Sequence, residues 1–106
     1  MIVVSSSNIA GYKIVKTFET VRGNTVRARH LGKDILAGLK GMVGGEIEEY
    51  TKLMAESRDQ SVDRMIAKAT ELGANAIVDT RFTTSMIMSL AAEMLVFGTA
   101  VLIEKE

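Results

Sequence analysis

The sequence contains no cysteine. That excludes a disulfide framework, a thiolate nucleophile and any metal site built on thiolates. It also contains no proline, and its one histidine is His30. A single histidine with no motif around it gives no basis for a Ser-His-Asp arrangement. Neither sign of charge dominates, since Lys+Arg and Asp+Glu both number 13. That balance argues against a nucleic-acid or anionic-membrane partner. The opening "MIVVSSSNIAGYK" lacks the charged and long apolar regions of a signal peptide. No apolar run reaches the ~18–20 residues that span a bilayer, and Glu93 interrupts the nearest approach. The expected location is therefore the cytoplasm.

What is present is apolar side chain, at 47% of 106 residues. The length suits a single domain over residues 1–106, with no repeat, linker or low-complexity tract. A domain this small buries only ~60–70% of its unfolded surface. The excess apolar content points to surface buried between subunits. The charges are unevenly placed. Residues 1–40 carry seven basic and two acidic side chains, and residues 41–106 carry six and eleven, or +5 against −5. This reads either as a basic face for an anion or as compensation within and between subunits.

"IVV" at 2–4 reads as a short strand, and "SSSN" as the turn after it. The run from Tyr12 to Arg29 is rich in Val, Ile, Thr, Phe and Tyr. Gly23-Asn24 divides it, which predicts two strands in a hairpin, or one strand with a kink. Ile35, Leu36, Leu39, Met42 and Val43 predict a short helix ended by Gly44-Gly45. The main helix is predicted over Glu46 to Leu72. Glu46, Glu48 and Glu49 stand at its positive end, with apolar residues at steps of three and four. Gly73 is placed to end it in a left-handed conformation. "NAIVDTRFT" then changes to period two, with Ala76, Val78, Thr80 and Phe82 on one side and Ile77, Asp79, Arg81 and Thr83 on the other. "EMLVFGTAVLIE" is apolar on both sides. One helix covers one face, and a neighbouring copy is the simplest cover for the other.

Five groups of residues have candidate chemistry. His30 could serve as a base or ligand, or be an ordinary residue near a strand end. Met86 and Met88, with Met94 nearby, offer thioethers of the kind that suits Cu(I), or adaptable packing. "GMVGGE" precedes a helix, but three glutamates there would repel phosphate, and the P-loop lysine is absent. Asp79 and Arg81 share a strand face and suit ion pairs at an interface. Arg58 projects into the apolar stripe of the main helix, about 20° from Ile47 on a helical wheel. Buried there it needs a carboxylate, with Glu93 and then Asp79 the natural partners, in the same or a neighbouring subunit. The alternative lays its stem on the stripe and its head in solvent.

Taken together, "GKDILAGLKGMVGGEIEEYTKLMAESRDQSVDRMIAKATELGANAIVDTRFTTS" and "EMLVFGTAV" resemble the YbjQ-like family, small bacterial and archaeal proteins that carry a heavy-metal-binding label. The resemblance covers nearly the whole chain. Its most specific parts are Gly44-Gly45-Glu46, Tyr50-Thr51, Arg58, Arg64-Met65, Gly73-Ala74-Asn75-Ala76 and Gly98-Thr99-Ala100-Val101. It implies an α+β fold, a β-α-β-β subunit with one long helix on an antiparallel sheet. It also implies a homo-oligomeric ring, with five subunits the expected number. No established activity comes with it.

Three functions are compatible with this reading. The first is a non-catalytic homo-oligomeric binding or structural protein, with an unknown small ligand and no cofactor. The second is metal handling through His30 or the Met86 and Met88 thioethers repeated around a ring. The third is an enzyme at a subunit junction, for which Asp79, Arg81 and Glu93 would have to line one cleft.

Overall fold

A computed structural model describes residues 1–27, 48–88 and 91–106, apart from the side chains of residues 27, 48–50 and 88. The order is β1 (Ile2–Val3), β2 (Tyr12–Arg27), α1 (Glu48–Leu72), β3 (Ala76–Met88) and β4 (Ala91–Lys105). Among the described residues, one helix lies on a four-stranded sheet of order β1-β3-β4-β2. The α+β class and the single long helix are as expected. The sheet is mixed rather than antiparallel, because β1 pairs parallel with β3 through Ile2↔Ala76 and Val3↔Ile77. The short helix predicted within 32–44 and His30 lie outside the described residues.

The period-two run of β4 makes it the central strand. Val96 and Ala100 face α1 in one core with Val21, Met65, Ala69 and Ile77. Val101 and Ile103 face the other way, in a second core with Ala76 and Val78. Part of the cover for that second face comes from the chain itself. Val4 and Ile9, which flank the "SSSN" turn, pack against it. Leu95 and Phe97 further along β4 are half-buried.

No hairpin forms at Gly23-Asn24. β2 runs unbroken for 16 residues, antiparallel to β4, with irregularities at Ile14/Lys16 and Thr17/Thr20. The glycine serves packing instead. A Cβ on Gly23 would collide with the Ser61 carbonyl oxygen and sit 2.6 Å from the Met65 nitrogen, both main-chain atoms of α1. At this crossing the helix touches the strand backbone directly.

That close approach also moves the buried stripe of α1. Leu53, Ser57, Ser61, Met65 and Ala69 are the buried residues, at steps of four. Ser57 and Ser61 replace apolar side chains, and each hydroxyl donates to the carbonyl four residues earlier, Leu53 at 2.9 Å and Ser57 at 2.9 Å. Thr25 of β2 lies beside them, 3.1 Å from the Ser61 hydroxyl, and donates to the Ser57 carbonyl at 3.1 Å.

The helix ends as Gly73 predicted. Its φ is 92°. Its N–H donates to Thr70 O at 3.0 Å, and the N–H of Ala74 donates to Ala69 O at 3.1 Å. These two bonds make a Schellman cap, satisfying carbonyls that the last turn leaves free. Asn75 then acts as a rung of the sheet. Its side chain accepts from Ile103 N at 2.7 Å and donates to Ile103 O at 3.0 Å.

Candidate functional site

The change from helix to strand leads within four residues to the most irregular point of the backbone. Asp79 has φ 54°, a left-handed conformation in which Asp is enriched among non-glycine residues. The pairing with β4 slips there, from Val78↔Thr99 to Arg81↔Phe97, so β3 carries one extra residue. This bulge inverts the facing of the strand. Ala76 and Val78 stand on the face away from α1, whereas Phe82 pairs with Val96 on the helix face. The unbroken alternation expected from Ala76 to Phe82 does not hold, because period-two counting assumes no bulge.

The amino-terminal segment fixes the bulge from outside. The N–H of Asp79 donates to Ser6 O at 3.0 Å, and that of Thr80 donates to Val4 O at 3.1 Å. The Ser7 hydroxyl donates to the Asp79 carboxylate at 2.7 Å. Arg81 Nη1 donates to Ser5 O at 2.8 Å and to Thr80 O at 2.9 Å. Asp79 and Arg81 are therefore brought close in the chain, but each holds the amino-terminal loop and they form no ion pair. Beside them lies an open cavity of about 480 Å³, lined by Val3, Val4, Ser5, Thr80, Arg81 and Phe82. The Thr80 hydroxyl oxygen is buried and has no hydrogen-bond partner among the described residues.

Glu93 does not join this group. It pairs with Ser85, four rungs along from Arg81↔Phe97. Four residues along an extended strand separate Glu93 from Phe97, roughly 13 Å. Its carboxylate accepts instead from Asn24 Nδ2 at 3.4 Å. Asp79, Arg81 and Glu93 thus line no common cleft within one chain. Within one chain Arg58 is exposed and makes no ion pair with Glu93 or Asp79. A stripe that advances four residues at a time drifts by about 40° each step. Arg58 stands beside the drifting stripe rather than in it.

For a metal, no three His, Asp or Glu side chains come together among the described residues. Met86 is 66% exposed. Met94 is buried, and its sulfur accepts from the Thr84 hydroxyl at 3.4 Å. His30 and the Met88 side chain lie outside the described residues. Sequence reasoning missed Ser5, Ser7 and Thr80, whose roles depend on contacts across more than 70 residues of chain. The run of serines after a strand candidate was the only local sign.

A family model described as "Putative heavy-metal-binding", of the YbjQ type, matches residues 1–104. The chain belongs to this family. UPF0145 proteins are similar throughout. One from Dehalococcoides mccartyi is 53% identical over 98% of this chain and all of its own length. One from Methanosarcina acetivorans is 50% identical over 95% of both. One from Pyrococcus abyssi is 51% identical over all of this chain and 93% of its own. Among solved structures, a DUF74-family protein of unknown function from Pediococcus pentosaceus matches with a TM-score of 0.65 over 98% of both chains. At 17% identity, that likeness concerns the fold.

Proposed function

We propose that this YbjQ-family protein is a non-catalytic homo-oligomer, a ring joined through the edges of its sheets. The observation that carries this reading is the pair of long open strand edges. On one side β1 reaches only Ala76 and Ile77, so β3 from Phe82 onward has no strand neighbour beyond it among the described residues. On the other side β2 has no outer neighbour among the described residues. Both edges carry exposed apolar residues: Phe82, Met86 and Ile87 on β3, and Ile14, Val15 and Val26 on β2. Open edges are templates for pairing, and monomeric proteins blunt them with charge, proline or bulges. Two different edges joined head to tail form a heterologous contact, which closes into a ring when the rotation permits. Five subunits is the number the family resemblance implies. Native mass spectrometry and sedimentation equilibrium test the reading. A monomer at micromolar concentration overturns it.

The family description favours metal handling as a second reading. It would require His30, Met86 or Met88, repeated around the ring. Elemental analysis of purified protein decides it. Stoichiometric metal that disappears in His30→Ala supports metal handling, and metal-free protein that binds no Cu(I) on titration excludes it.

A further inference from the structure

We infer that the notch where β1 leaves the edge of β3 is a binding site for a small monocarboxylate with an apolar body. The site is built from residues of one chain, and it shares Phe82 with the β3 edge proposed above as an interface.

The cation comes first. Arg81 is always charged and carries five N–H donors in a planar fork. Its Nη1 is engaged by the carbonyls of Ser5 and Thr80. Those bonds fix the plane of the group. Nε and Nη2 make no bond among the described residues, and they form the side of the fork that takes a carboxylate with two parallel hydrogen bonds. No carboxylate of the described residues neutralises Arg81, because Asp79 is turned to the Ser7 hydroxyl.

The neighbouring donors suit the same ligand. Thr80 N donates outward to Val4 O. In an extended strand the N–H two residues on points the same way. The N–H of Phe82 therefore faces the open edge, where β1 has already ended. Thr80 also lines the cavity; the residue is 7% exposed, and its hydroxyl oxygen is buried with no partner among the described residues. A buried hydroxyl without a partner is uncommon and costly.

The walls decide what the rest of the ligand is. Val3, Val4 and Phe82 are apolar, and Phe82 is 46% exposed. One cation and three apolar walls fit a single negative charge on a short or branched hydrocarbon. A phosphate would bring a second charge that nothing in the notch answers, and no apolar part to fill it.

Titration of the purified protein with isovalerate, followed by backbone amide NMR and calorimetry, tests this, with isovaleramide and inorganic phosphate as controls. Saturable binding of isovalerate is expected, with shifts at Ser5, Thr80 and Phe82 and none from the amide. Arg81→Gln should weaken binding by about tenfold or more. Because Arg81 also holds the amino-terminal loop, Thr80→Val provides a second test. It keeps the side-chain shape, removes an unpaired hydroxyl, and should weaken binding about threefold while leaving the fold at least as stable. No saturable binding of isovalerate, equal binding of the amide, preferential binding of phosphate, or unchanged affinity in both variants each overturns the inference.

Discussion

Gly23 is the residue that the fold tolerates least in any other form. A methyl group there meets the Ser61 carbonyl and the Met65 nitrogen, both held in the helix ladder. Neither can turn aside as a side chain would. Gly23→Ala should therefore cost about 3 kcal/mol or more, at the upper end of overpacking effects. Urea denaturation checks this, and a loss under 1 kcal/mol, a typical value for ordinary substitutions, would show that the helix can lift. Arg58 stands at the opposite extreme. Exposed and unpaired with Glu93 or Asp79, it should accept alanine within ~0.5 kcal/mol in a folded subunit. A larger loss accompanied by dissociation would instead place its partner on a neighbouring subunit.

At the scale of elements, the contact between α1 and β2 is a seam of small polar residues. Ser61 Oγ donates to Ser57 O at 2.9 Å and approaches Met94 O at 3.1 Å, with Thr25 Oγ1 alongside. Ser61→Ala removes the Thr25 partner from a dry contact and should cost about 1–2 kcal/mol. A double-mutant cycle with Thr25→Val should return most of that loss as coupling. Additive losses would mean that the two hydroxyls act separately. This seam explains where the sequence was readable. The end of α1 was legible because Gly73 acts through its own backbone. The apolar character of both faces of β4 was legible for the same local reason. The buried stripe of α1 was not, because serines fill it and their hydroxyls bond within their own helix. The true role of Gly23 was hidden as well, since a glycine required for close approach looks the same in sequence as one required for a turn. The bulge at Asp79, and with it the Arg81 notch, is set by residues 4–7, more than 70 positions earlier. No window along the chain contains both halves.

For the whole molecule, the two cores and the two open edges make separable predictions. Val101 is buried beside Ala76 and Ile103 within one chain. A charge there should unfold the subunit rather than part an assembly. Val15 is 43% exposed on the outer strand, and Met86 is 66% exposed on the opposite edge. Val15→Lys and Met86→Glu should each lower the subunit count while far-ultraviolet circular dichroism stays unchanged. An intact assembly in both variants would remove the edges from the interface. The described residues include no helix long and apolar enough to cross a membrane.

The strand order also has a consequence for synthesis. Among the described residues, β4 is the only strand that touches both β2 and β3, and it follows both of them in the chain. Once residues up to 90 are free to fold, the chain can cap its helix and lay two residues of β1 against β3, but β2 has no partner among the described residues. The sixteen residues of that strand must wait, unpaired with β4, until β4 arrives. Chains that must wait for distant partners fold slowly and are open to wrong pairings meanwhile. A ribosome stalled just before β4 should therefore carry a chain that proteases cut readily within residues 12–27. Releasing fifteen more residues should close the whole sheet in one step.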